Sequence, residues 1–172
     1  MKPGIDLKLR RRLLQAYAYE QSLLGRLELY ALRAEGFGYP EIARLFRALA
    51  RGKRVQARRQ LKAAGETPGL ERSLMRVRRL LAWAERKIYG GAEEAAIRRG
   101  DRRAEMAFRY PRTATVYFEA LLAEAQAAVG AGTDLPLRDY WLCRVCGYVE
   151  TGETPPEGCP VCGSPAKAFY RT

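Results

Sequence analysis

Trp141-Leu142-Cys143-Arg144-Val145-Cys146-Gly147-Tyr148 and Gly158-Cys159-Pro160-Val161-Cys162-Gly163 hold all four cysteines of a 172-residue chain, in the frame Cys-x2-Cys-x12-Cys-x2-Cys. Two tight Cys-x-x-Cys turns can set four thiolates around one point at tetrahedral spacing. Pro160 narrows the second turn, and Gly147 and Gly163 supply the positive φ that such turns often need. Iron and zinc both accept an all-sulfur tetrahedron, so the spacing leaves the metal open. Two structural disulfides are the plainer alternative. Cysteines paired in this way on both arms fit a metal clamp better. The start, Met1-Lys2-Pro3-Gly4-Ile5-Asp6, has no apolar signal core, so a reducing, cytoplasmic setting is expected.

Residues 140–172 are too few for a core of their own, which makes metal binding and folding one event. Tyr140, Trp141, Tyr148, Phe169 and Tyr170 crowd this short stretch and are expected to shield the sulfurs from water. A linker over 133–139, carrying Pro136, precedes it.

Upstream, four helical patterns follow one another with short connections, as in an antiparallel four-helix bundle over 1–132. The first spans 6–35 and stops at Gly36-Phe37-Gly38. Tyr39-Pro40 opens the second, with proline at the first helical position, and it runs to about Ala64. The third starts near Leu70 and is interrupted at Gly90-Gly91, with Gly100-Asp101 as the turn before the fourth. Pro111 lies inside that fourth segment and predicts a kink or a restart there. No apolar run reaches the length of a membrane span.

The net charge of +12 sits entirely in residues 1–139, which carry 28 basic and 16 acidic residues. Arg44, Arg47, Arg51, Arg54 and Arg58 recur at three- and four-residue steps as one stripe on the second helix. Such a face attracts an acidic protein or phosphates, although most charged helix faces are simply solvated. Aromatics suited to stacking on bases are not interleaved with it, which weakens a nucleic-acid role.

The segment Trp141 to Val149, with Pro155-Pro156-Glu157-Gly158-Cys159-Pro160-Val161-Cys162 and Phe169, resembles the rubredoxin-like tail of rubrerythrins. Ala16-Tyr17-Ala18-Tyr19-Glu20-Gln21-Ser22 and Gly38-Tyr39-Pro40-Glu41-Ile42-Ala43-Arg44-Leu45-Phe46 resemble the family's first helix and the turn into its second. The resemblance implies a ferritin-like bundle followed by one iron held by Cys143, Cys146, Cys159 and Cys162, with zinc as the alternative. It also implies a one-electron relay. The basic face then favours an acidic redox partner, because electron-transfer pairs often dock through opposite charges, and a homo-oligomer, a dimer, is expected.

Di-iron bundles of this type take a Glu from each of two helices and a Glu-x-x-His from each of the other two. The chain has no histidine. Matched to the family, Lys53 and Gln56 stand where the second helix's Glu and His belong, Val77 near the third's Glu, and Thr115/Phe118 or Pro111/Ala114 on the fourth. Only Glu20 keeps its carboxylate, so no di-iron centre and no peroxidase or oxidase chemistry are expected. Two arrangements stay open with equal weight: Lys53 pairs with Glu20, the ammonium standing in for metal charge, or Lys53 reaches solvent and Glu20 is simply a polar residue at a helix boundary. The rival reading is a zinc-stapled, basic helical module that contacts an acidic partner or nucleic acid.

Overall fold

The computed structural model describes residues 6–172, which fall into two compact units meeting between Pro68 and Gly69. The first is a helical hairpin, α1 (Leu7–Gly36) and α2 (Pro40–Ala63). Asp6 caps α1 by accepting from the backbone N–H of Leu9 at 2.9 Å, and Gly38 turns the chain at φ 82°. The seam of the hairpin is made of small residues. Ala43, Ala50, Ala57 and Ala64, seven apart, are all buried, as are Leu27, Ala31 and Ala34 of α1. Methyl-sized contacts let two helices approach closely, and ion pairs flank them. Arg54 reaches Glu28 at 2.7 Å, Arg47 pairs with Glu35, and Arg10 pairs with Glu66.

The second unit starts with a helical stretch over 70–98: α3 (Leu70–Ala84), a π turn (Glu85–Tyr89) and α4 (Gly90–Arg98). The expected break at Gly90-Gly91 is thus a widening of the helix just ahead of the glycines, not a stop. Gly100, at φ 67°, turns the chain into α5 (Arg102–Gly130), whose cap Asp101 accepts from the N–H of Ala104 at 3.0 Å. No restart occurs at Pro111; α5 runs through it unbroken. The Thr115 hydroxyl donates to the Pro111 carbonyl at 2.9 Å. Arg78 of α3 clamps Glu119 of α5, its Nε donating at 2.7 Å.

Three short antiparallel strands close the unit, β1 (Tyr140–Cys143), β2 (Val149–Thr151) and β3 (Phe169–Arg171), in the order β2-β1-β3. The fold class is that expected, four long helical stretches followed by a small β module. No helix among the described residues is long and apolar enough to cross a membrane. Ile42, Leu45, Leu49, Val77 and Leu80, periodic apolar positions in the sequence, stay 44–56% exposed.

Candidate metal centre

Both cysteine turns are built on one hydrogen-bond plan. In the first, Gly147 N–H donates to Cys143 O at 3.0 Å and Cys143 N–H to Tyr148 O at 2.8 Å. In the second, Gly163 N–H donates to Cys159 O at 2.8 Å and Cys159 N–H to Ser164 O at 2.8 Å. Gly147 and Gly163 take φ of 77° and 74°, as the turn residues predicted. β1 delivers Cys143, and its partner across the ladder is Phe169 of β3.

The result is a cluster of four sulfurs, all within 4.8 Å of one another. Cys143 Sγ is 3.7 Å from Cys162 Sγ, and Cys146 Sγ is 3.4 Å from Cys159 Sγ. Sulfurs at the corners of a tetrahedron with bonds of about 2.3 Å lie about 3.8 Å apart. The cluster therefore fits one four-coordinate ion. All four cysteines are free, and their separations far exceed a disulfide bond of about 2.0 Å.

The thiols are not equivalent. Burial raises the Cys146 thiol's pKa, partly offset by the backbone N–H of Tyr148, and burial likewise raises Cys159. Burial also opposes ionisation of Cys162, but the Ser164 hydroxyl and backbone N–H outweigh it and bring that thiol to about 7. A thiol in that range supplies a thiolate at neutral pH as the first ligand to an incoming cation. Cys143 and Cys159 are buried, whereas Cys146 and Cys162 are half-buried.

Aromatic rings seal the buried side. Tyr148 and Phe169 are buried with Cys143 and Cys159, and Trp141 packs against them. The Trp141 indole N–H donates to Gly152 O at 2.9 Å. The Tyr148 hydroxyl donates to Glu150 Oε2 at 2.6 Å, and burial followed by that carboxylate holds the phenol's pKa above its ordinary value. Tyr140 and Tyr170 instead serve as faces for cations: Arg138 lies 5.9 Å from the first ring centroid and Arg144 4.8 Å from the second. Sequence reading missed Tyr117 of α5, whose ring meets Tyr148 edge-on at 4.8 Å. No local motif marks it, because the contact joins residues 31 apart.

The sequence model of the family described as "Rubrerythrin, rubredoxin-like domain" matches residues 141–170, the stretch that supplies all four sulfurs. Over these residues the chain is similar to the rubredoxin-like domain of rubrerythrins. Rubrerythrin-2 of Clostridium acetobutylicum is 26% identical over 162 residues, covering 86% of this chain and 88% of that protein. Nigerythrin of Nitratidesulfovibrio vulgaris is 28% identical over 165 residues, covering 90% of this chain and 81% of that one. A Methanocaldococcus jannaschii protein named as a rubrerythrin is 42% identical over 52 residues, a match spanning 30% of this chain and 24% of that protein. A solved nigerythrin structure shares the fold, with a TM-score of 0.53 at 22% identity over 99% of this chain and 89% of that one. The chain thus carries a rubredoxin-like metal site of a chemistry suited to iron or zinc.

The helix residues matched to the family in the sequence have these surroundings. Lys53 Nζ stands 2.9 Å from Glu20 Oε2, an oxygen buried with no aligned hydrogen bond. The contact is therefore a charge pair, the first of the two arrangements the sequence left open. Val77 is exposed, Ala114 is buried, and Thr115 is buried with its hydroxyl on Pro111 O.

The buried carboxylates of the second unit are ones that sequence reading passed over, Glu93 and Glu105. Arg112 bonds Glu93 at 2.9 Å and Glu85 at 3.2 Å. Arg109 bonds Glu93 at 3.2 Å and also pairs with Glu105, which Arg102 reaches at 3.0 Å. Glu85 and Glu93, eight residues apart, would sit about 80° apart around a regular helix. The wider π turn takes up the offset, so both reach Arg112. The Arg102/Glu105 and Glu105/Arg109 spacings are the one local signal of this network.

Hydrogen bonding from Arg112, opposed by burial and then aided by Arg109, holds the Glu93 carboxyl below the usual range. A depressed folded pKa contributes stability that is present above the unfolded value, about 4.3 for Glu. That contribution is lost as pH falls through the lower folded value. Glu93→Gln is therefore expected to lower the denaturant midpoint at pH 7 and to flatten its decline below about pH 4.3. An acid limb unchanged from the parent would show that Glu93 is not the titrating group.

Proposed function

We propose that Cys143, Cys146, Cys159 and Cys162 hold one iron, which supplies one-electron exchange between its ferric and ferrous states, and that the chain works as an electron relay. The four-sulfur cluster with its aromatic seal carries this reading. The thiolates hold the charge, Trp141, Tyr148 and Phe169 exclude water, and the half-buried Cys146/Cys162 edge meets solvent. Zinc in the same cluster would make the module a structural staple instead.

The proposal includes loss of the di-iron site. Its support is a repeated pattern: Glu20 is neutralised by Lys53, Glu93 by Arg109 and Arg112, and Glu105 by Arg102 and Arg109. Each buried carboxylate of the helices has a cation of this chain beside it, and the chain has no histidine to complete a Glu-x-x-His. Relay without a resident di-iron centre requires a separate acceptor. An acidic redox protein fits the basic charge, although Glu41, Glu35 and Glu28 already engage Arg44, Arg47 and Arg54. Arg51 and Arg58 have no carboxylate partner among the described residues. The exposed apolar residues of α2 and α3 support a dimer in a cytoplasmic setting, and native mass tests the dimer.

The freshly purified chain is expected to be coloured by sulfur-to-iron bands that bleach on dithionite, with about one metal per chain. Three irons per chain would sink the loss of the di-iron site. A colourless protein with one zinc would end the relay and favour the zinc-stapled binding module.

A further inference from the structure

The four-sulfur site lies in a module of three short strands, yet its buried side is completed by a residue from outside that module. Tyr117 of α5 packs against the cluster formed by Cys143, Tyr148, Cys159 and Phe169. The Tyr117 and Tyr148 rings meet at 75° with centroids 4.8 Å apart, and Tyr148 meets Phe169 at 89° and 6.4 Å. Both are edge-to-face contacts of favourable geometry. Tyr148 itself is fixed at its far end by Glu150, and its backbone O accepts from Cys143 N–H. The stack thus runs from a ring on a long helix, through the ring of the residue whose backbone carbonyl closes the first cysteine turn, to the strand residue paired with Cys143.

We infer that Tyr117 is a positioning residue of the metal site. By holding Tyr148 edge-on it keeps water from the Cys143/Cys159 side, so exchange at the site is confined to the Cys146/Cys162 edge. The inference rests on the four-sulfur reading above and deepens it. It assigns control of the site's openness to a helix residue outside the strand module that carries the ligands. Removing the ring leaves Tyr148 free to tilt and opens a path to the two buried sulfurs. Groups one layer beyond the ligands typically alter metal affinity 10- to 100-fold.

The test uses the full chain loaded with its metal, with stoichiometry measured first and loss to excess EDTA followed in time. Tyr117→Ala is expected to speed metal loss by about tenfold, with helix content unchanged. Tyr117→Phe keeps the ring edge and is expected to stay within about twofold of the parent. Tyr170→Ala removes an exposed ring of the same module, 39% accessible, and is expected to change nothing. If Tyr117→Ala does not fold, Tyr117→Leu makes the same comparison.

A metal-loaded Tyr117→Ala that loses metal at the parent's rate overturns the inference, as does a Phe variant as fast as Ala. A parent chain that binds no metal overturns the four-sulfur reading as well. Stoichiometry therefore tells the two failures apart.

Discussion

Cys159→Ser is expected to abolish metal binding and to unfold residues 140–172, while the helices keep their far-ultraviolet signal. Cys159 is 3% exposed and belongs to the small buried cluster of the module, with Cys143, Tyr148 and Phe169. Two of the four members are themselves cysteines, so the sulfur cluster is half of the core. Three strands of three or four residues supply too little burial to replace it. In zinc-finger peptides a structural zinc binds with about 10–16 kcal/mol, and that binding free energy is folding free energy. A serine hydroxyl is a poor ligand for a soft, sulfur-preferring site. The Trp141 indole N–H, bonded to Gly152 O at 2.9 Å, gives the readout. Its resonance should lose dispersion and exchange rapidly with solvent in the variant, and metal analysis should show none bound. A metal-free variant that keeps that resonance protected would show that the strands fold without the ion.

Lys53→Met destabilises the hairpin, by about 2–3 kcal/mol. The Glu20 side chain is 12% exposed and Lys53 is 26% exposed, so the variant strands a mostly buried carboxylate without its cation. Fully buried pairs cost about 3–5 kcal/mol when one partner is removed. Partial access of water to Lys53 lowers the figure here. The double variant Glu20→Gln/Lys53→Met recovers most of the loss, because no charge is left to desolvate. Denaturant midpoints of parent, single and double variants form the cycle. A single variant within about 0.5 kcal/mol of the parent would mean the pair is merely a surface contact. The same result would remove the main support for Lys53 standing in for metal charge.

Much of the fold was readable from local chemistry. Pro40 begins α2, Asp101 caps α5, and Gly147 and Gly163 take the positive φ that their turns require. Of the two outcomes read from Pro111, the restart did not occur: a proline costs a helix one hydrogen bond and a clash, and a helix of 29 residues continues through it. The Glu20–Lys53 pair was legible too, as one of two arrangements. Family matching set the two residues at equivalent heights, and the antiparallel hairpin joins them. Family matching failed in the second unit, where it pointed to Val77 and Thr115/Phe118 while the buried carboxylates are Glu93 and Glu105. A π turn shifts the helical register there, and no periodicity rule anticipates it.

The cysteine frame by itself pointed to a four-sulfur metal clamp, and the resemblance of the residues around it pointed to a rubredoxin-like one. That information is local: the ligands lie within 20 residues, and glycine and proline set their turns through backbone sterics. Folding in three dimensions assigned the environment of that site. Which sulfurs are buried and which helix residue closes the inner side depend on groups far apart in sequence. Packing and electrostatics act through space, so Tyr117 over Tyr148, and Arg109 and Arg112 around Glu93, exist only once the chain is folded.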